Sequence, residues 1–234
     1  MSVSYNDGLA QARLFLREDA QRLKANDWLL IAEQARQHLS RDKPREVIAD
    51  ITGNATKTYT LGSGSTALWV VRFSKIRTVE YPTGSDPIST LQSGQWFLYR
   101  SATDTEQLKF VDDSPAASQT FRILFSTRHA FDPTTSSIDD DDKSIIALLL
   151  AHYGALALIS DFLKPNRSNL PNDSVDFSQK AADMTTLAKE LLEKYMSLVS
   201  GKSAEVKSYA TLVKDFDMIS SQGEDYILNP SRFR

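Results

Sequence analysis

No cysteine occurs among the 234 residues. That absence excludes a disulfide framework, a thiolate nucleophile, an iron–sulfur cluster and any cysteine-ligated zinc site. Histidine is scarce as well: His38, His129 and His152 are the whole supply. No pair of them has i, i+4 spacing, neither H-E-x-x-H nor H-x-x-E-H occurs, and no G-x-S-x-G elbow marks a nucleophile. Two surface histidines and one core histidine are expected, with no catalytic, cofactor-binding or metal-binding residue assigned. A charge of one dominant sign is missing too. Lys and Arg number 27 against 30 Asp and Glu, for a net charge of −3, so there is no whole-chain basic field for non-specific nucleic-acid binding.

The opening residues, Met1 to Asp7, hold no basic stretch followed by an apolar one, so no targeting segment is expected. The most apolar run, Ile145 to Leu163, is interrupted by His152, Ser160 and Asp161. A bilayer span needs roughly 20 predominantly apolar residues, so this run is expected to be a buried core helix of a soluble chain made in a reducing compartment. Asn54, Asn166 and Asn172 match N-x-[ST], a chance match without a secretory signal.

What is present is order. Leu9, Ala12, Leu16, Ala20 and Leu23 are spaced as one face of a helix, with Asn6 or Asp7 as its expected N-cap. A second helix starts at Asp27, buries Trp28, Ile31, Ala35 and Leu39, and ends at Pro44. From about Lys57 the period changes to two. Tyr59 with Leu61, Leu68 to Tyr81, Trp96 to Tyr99, Leu108 to Val111, and Phe121 to Phe125 make about five strands, joined by short turns into an antiparallel sheet or small sandwich. Trp69, Phe73, Trp96, Phe97, Tyr99 and Phe110 have few basic neighbours, so they are expected in the core and not as a base-stacking platform. Gly62-Ser63-Gly64-Ser65 lacks the Gly-Lys-[Ser/Thr] of a phosphate loop and is expected to be a hairpin loop.

Asp139, Asp140, Asp141 and Asp142 open a third helix, where negative charge suits the helix dipole. Ala147, Ala151, Gly154 and Ala155 leave room for a close neighbour. Phe177, Ala181, Met184, Ala188, Leu191, Tyr195 and Leu198 form an a/d seam for packing along a partner helix. Lys164 to Ser174, with two prolines, is expected to be a loop, and Gly201 to be the stop of the last helix. The fold class expected is α+β: N-terminal helices over 1–56, a β-rich centre over 57–137, a helical hairpin over 138–201, and an extended arm over 202–234. The first three make one body.

The succession carries a resemblance. Ile31-x-x-x-Ala35 and His38-Leu39-Ser40-Arg41-Asp42-Lys43-Pro44 come first. Phe73 to Pro82, Trp96 to Arg100 and Leu108-Lys109-Phe110 follow. Thr127-Arg128-His129 then precedes the small-residue helix, and Asp173 to Ala181 opens the helix that reaches Tyr195. In this order the chain resembles the head–tail connector proteins in the neck of tailed bacteriophages, over about residues 25 to 200 and the short aromatic–basic terminus. None of these motifs is catalytic. The resemblance implies a ring, usually dodecameric, of this chain with itself. It implies partners in the portal protein and in a tail-side neck or terminator protein, a place in the virion after assembly in the host cytoplasm, and DNA passing through without sequence-specific binding. No enzyme activity, cofactor or membrane is implied.

Within that resemblance Phe177, Met184, Leu191, Tyr195, Tyr226, Leu228, Arg232, Phe233 and Arg234 are interface candidates, since aromatics and Arg are enriched at interfaces. Asp139 to Asp142 are channel-facing candidates, since carboxylates repel phosphate. The β-rich centre departs from the almost wholly helical connectors and is expected to meet the tail-side neighbour. The alternatives are a tail-completion or terminator protein, a hydrolase built on His129, and a generic α+β binding module.

Overall fold

The computed structural model describes residues 2–92, 94–111, 114–163 and 177–216, with backbone alone for 177–178 and 201–216. The chain is α+β. Helix α1 (Tyr5–Leu16) leads through a 3₁₀ turn (Arg17–Arg22) into α2 (Ala25–Asp42). The caps differ from the sequence expectation. Ser4 Oγ, one turn before Asp7, accepts the Asp7 N–H at 3.1 Å. Asp27 sits inside the first turn of α2, where its carboxylate accepts the Lys24 N–H at 2.8 Å. Both are anionic or hydroxyl acceptors for orphan donors at a helix start. Pro44 disfavours helical backbone at the residue before it, and α2 ends at Asp42 with the Lys43 N–H returning to Leu39 O at 2.7 Å.

Helix α3 (Lys143–Phe162) is the centre of the helical layer. Ile146, Leu149, Leu150, Ala151, Ala155 and Leu158 are fully buried. Leu9, Ala12 and Leu16 of α1, Trp28, Ile31, Ala35 and Leu39 of α2, and Ala188, Leu191 and Tyr195 of α4 (Phe177–Phe216) share its core. The stretch Asp140–Phe162 is long and apolar enough to cross a membrane by length and composition, and 67% of its most apolar window is buried within the chain. Gly154 exists because the helices meet closely: a Cβ there would lie 2.6 Å from Leu16 Cδ1. Gly201 does not stop α4, which continues to Phe216. An interior helical glycine costs about 1 kcal/mol relative to alanine, which is too little to end a helix that continues on both sides.

Between α2 and α3 six strands form two three-stranded sheets: β1 (Arg45–Thr52), β2 (Thr58–Thr60), β3 (Lys75–Glu80), β4 (Trp96–Arg100), β5 (Glu106–Phe110) and β6 (Thr120–Thr127). The orders are β1-β6-β3 and β2-β5-β4, antiparallel throughout. Phe121, Ile123 and Phe125 of β6 alternate inward with no exposure. Tyr59 and Phe110 from the second sheet meet Phe121 at ring distances of 4.7 and 5.2 Å, so the sheets pack face to face around a second core distinct from the helical one.

Two strand expectations change. Strand β1 lies in the segment expected to be helical, because Val47, Ala49 and Ile51 alternate with Glu46, Ile48 and Asp50. Residues 68–74, expected to be strand, are turns: the N–H groups of Phe73 and Ser74 both return to Val70 O, and Arg72 adopts φ +67. The Gly62–Ser65 segment is a loop but not the expected hairpin, since β2 and β3 lie in different sheets; it is closed by a 3₁₀ turn in which Thr66 Oγ1 accepts the Gly62 N–H at 3.0 Å.

Candidate functional site

A polar constellation lies where the β block leaves and re-enters the helical layer. Residues 42–46 exit α2 into β1, and residues 128–142 return from β6 to α3. His129 stands between them, buried at 7% exposure, and His152 is buried too, so two of the three histidines are covered where one was expected. Its N–H donates to Ser40 Oγ at 3.0 Å, and its carbonyl accepts from Arg36 Nη1 at 3.0 Å. Its Nε2 lies 2.8 Å from Lys43 O. A carbonyl only accepts, so Nε2 carries the proton and Nδ1 presents its lone pair to Ser137 Oγ at 3.4 Å. Lys43 in turn is ion-paired with Asp142, whose carboxylate is 2% exposed. His129 and Lys43 together thus tie the end of α2, the exit from β6 and the start of α3.

Beside this clasp opens a cavity of about 860 Å³ lined by Lys43, Arg45, Arg77, His129, Ser137 and Asp139, among others. Glu46, Asp42 and Asp142 also line it, so its mouth carries both signs and no anion-selective field. The Ser137–His129–Lys43 carbonyl order has the hydrogen-bond sense of a nucleophile, its base and an orienting acceptor. The surroundings give it another use. Ser137 Oγ accepts the Ala130 N–H at 2.9 Å, and the Ser137 N–H goes to Ala130 O at 2.9 Å. The Ala130 and Ser137 N–H groups are therefore engaged in fastening residues 130 and 137 to each other.

A second polar group covers the α2–α4 contact. Tyr195 Oη donates to Asp42 Oδ2 at 2.6 Å, and His38 Nε2 approaches the same oxygen at 3.4 Å. His38 Nδ1 lies 2.9 Å from Tyr153 Oη of α3. Burial, then the neighbouring Asp42 carboxylate, push the Tyr195 phenol far above its ordinary value, so it stays a neutral donor. His152 is the expected core histidine: its Nδ1 sits 2.8 Å from Ala188 O on α4. Among the described residues no three His, Asp or Glu side chains converge on a metal site.

The interface and channel candidates are scattered. Asp139, Asp140 and Asp141 are exposed, while Asp142 is buried against Lys43 and cannot face a channel. Leu191 and Tyr195 are covered by the chain's own helical layer at 1% and 0% exposure, because the a/d seam is satisfied within the hairpin. Met184 is partly buried on the same seam. The Phe177 side chain, the 164–174 loop, and Tyr226, Leu228, Arg232, Phe233 and Arg234 lie outside the described residues.

The structure also exposes what the sequence pattern assigned to the core. Phe97 and Tyr99 of β4 are 46% and 43% exposed, with Leu98 between them at 39%. The signal was present: Trp96-Phe97-Leu98-Tyr99 does not alternate, and an unbroken apolar run belongs either to a strand buried on both faces or to one that meets something else. No family model matches the chain, and neither does any protein in the curated collection.

Proposed function

We propose that this chain is a structural protein of the neck of a tailed bacteriophage, forming a ring between portal and tail that extends the DNA channel. The observation that carries the proposal is the ordered resemblance over residues 25 to 200. The fold supports it with a helical layer suited to a ring wall. At about 1.5 Å per residue the 40-residue α4 is some 60 Å long against 30 Å for the 20-residue α3, so α4 outruns the partner that buries its seam. On the outer face of the layer, Leu14 and Leu30 are 77% and 67% exposed. Leu30 and Leu156 line a shallow groove of about 430 Å³. Such leucines suit head-to-tail contacts that close.

The ring is dodecameric in the usual form of the proteins the chain resembles. Its partners are the portal protein on one side and a tail-side neck or terminator protein on the other, and it takes its place in the virion after assembly in the host cytoplasm. Asp139, Asp140 and Asp141 stand exposed where carboxylates would keep passing phosphates from being held. No step of this role needs catalysis. Mixing the purified chain with its cognate portal is expected to give a co-migrating ring complex. Absence of binding at micromolar concentration, or attachment to isolated tails in place of filled heads, overturns the proposal.

A further inference from the structure

The four edges of the two sheets are not equally protected. β1 carries Arg45, Glu46 and Asp50 along its length. β3 carries Lys75, Arg77 and Glu80 and is interrupted by a register shift between Ile76 and Thr78. β2 is three residues long. Charge, bulges and shortness are the usual ways by which an edge avoids pairing with another chain. β4 has none of them over Phe97-Leu98-Tyr99, and all three of these apolar residues are exposed.

The hydrogen-bond phase of β4 is set by its neighbours in the ladder. The Val111 N–H donates to Gln95 O, and the Ser101 N–H donates to Thr105 O, both at 2.9 Å. In the register that pairs Trp96 with Phe110 and Arg100 with Glu106, residues 95 and 101 therefore belong to bonded pairs. Bonded and non-bonded pairs alternate in an antiparallel ladder. Phe97 and Tyr99 spend their backbone groups on β5, while Trp96, Leu98 and Arg100 point theirs away from it. Among the described residues nothing meets those three N–H and three C=O groups.

We propose that β4 is a homodimerisation strand that pairs antiparallel with β4 of a second copy, about a two-fold axis at Leu98. The partner is a second copy because the strand is complementary to itself in the register that uses all three outward residues. With Leu98 opposite its own mate, Trp96 faces Arg100 of the other copy, and Phe97 faces Tyr99. All outward N–H and C=O groups then meet in bonded pairs. The guanidinium lies against an indole, a favourable cation–π pairing, and the opposed Phe97 and Tyr99 rings give the aromatic cross-strand pairs that stabilise sheets. No like charges are brought together. The sheet becomes six-stranded, β2-β5-β4-β4-β5-β2, and its exposed apolar edge disappears. The inference does not rest on the ring: a two-fold contact is isologous and is not the contact repeated around a closed ring.

Sedimentation of the full chain over a concentration series tests it, with Leu98→Lys, Leu98→Glu and their equimolar mixture alongside. Wild type is expected to pass from monomer to dimer. Each variant alone is expected to weaken the dimer by about tenfold or more, with an unchanged circular dichroism spectrum, because like charges then oppose across the axis. The mixture is expected to restore a heterodimer. Hydrogen exchange on wild type needs no variant: the amides of Trp96, Leu98 and Arg100 are expected to gain protection with concentration, while those of Phe97 and Tyr99 are protected throughout. A wild-type chain that stays monomeric, a dimer that persists in Leu98→Lys, or a mixture that fails to reassociate overturns the proposal. A ring that survives Leu98→Lys leaves the neck proposal standing, so the two fail separately.

Discussion

Replacing Arg100 by glutamine is expected to weaken the acid sensitivity that Glu106 gives the β block. Glu106 on β5 is 2% exposed. Its Oε2 accepts the Trp69 indole N–H at 2.9 Å. Its Oε1 accepts from the Arg72 N–H at 3.3 Å and from Arg100 Nε and Nη2 at 3.1 and 2.5 Å. Burial pushes the carboxyl up, but the Arg100 guanidinium, the Trp69 indole and the Arg72 N–H together outweigh it and hold the carboxyl below the ordinary 4.5. A carboxyl depressed in the folded state contributes stability that is complete above pH 4.5 and is lost as pH falls through its lower folded value. In Arg100→Gln the charged partner is gone and burial is opposed only by the Trp69 indole and the Arg72 N–H, so the carboxyl titrates above its wild-type folded value. Wild type then loses more stability on acidification than the variant does, and the deficit of the variant narrows as pH falls.

The size of the deficit follows from which group is stranded. Arg100 is 47% exposed and returns to water at little cost; its further pair with Asp104 is solvent-exposed and contributes little. Glu106 remains buried with one fewer charged donor, a loss of about 1.5–3 kcal/mol at neutral pH. Urea unfolding followed by tryptophan fluorescence, from pH 7 to pH 4, reads it directly. Other shifted carboxylates are common to both proteins and cancel in the difference. Glu106→Gln removes the titration and is expected to lie below wild type with no slope from this site. A difference between wild type and Arg100→Gln that stays constant with pH, or widens on acidification, refutes the reasoning.

Gly53→Ala is expected to cost about 1–3 kcal/mol, read as a lower thermal midpoint, because a Cβ there meets the carbonyls of Ala116, Gln119 and Pro115 at 2.5, 2.9 and 2.9 Å. Gly154→Ala is expected to cost less, since a side-chain methyl of Leu16 can yield and the helix gains about 1 kcal/mol of propensity; an equal loss in the two would contradict this. Tyr195→Phe removes only the bond to Asp42 and is expected to cost about 0.5–1.5 kcal/mol. Tyr195→Ala empties a fully buried site and is expected to cost about 3–5 kcal/mol, both by denaturant unfolding. Ser137→Ala is expected to lower stability by about 1 kcal/mol through the Ala130 N–H it leaves without its acceptor, and a fluorophosphonate is expected to leave wild-type Ser137 unlabelled; labelling would restore the hydrolase alternative.

The helical layer was legible because period and burial coincide. Leu9, Ala12 and Leu16, and Trp28, Ile31, Ala35 and Leu39, are buried as their spacing requires. The inward alternation of Phe121, Ile123 and Phe125 was equally direct. β1 was hidden because its outward positions mix Ile48, 62% exposed, with Glu46 and Asp50, so no clean polar face marks it. Residues 68–74 carry strand-like composition, yet their amides close locally on Val70, a preference that composition does not report. The clasp at His129 was illegible for a different reason: Ser40 and Lys43 stand at the end of α2 while His129 and Asp142 lie in the return from β6 to α3, and no spacing encodes an ion pair between residues 43 and 142. The seam over 181–195 was read correctly as a packing face, but a sequence period does not say whether the facing helix belongs to the same chain.

The pairing of Arg45 with Thr127 has a consequence for how the molecule assembles itself. These partners stand 82 positions apart in sequence, and everything between them belongs to the β block. For the helical layer, an open loop of that length in place of a typical connection of about six residues would raise the closure cost by roughly 2 kcal/mol, since each doubling adds about 0.6. Because β1 and β6 are bonded along their whole length, the folded block delivers its two ends already side by side, and that entropy is not lost a second time when α2 and α3 come together. To the helices the insertion behaves as a tight turn. Any other module presenting two chain ends at the spacing of Arg45 and Thr127 would close the same layer.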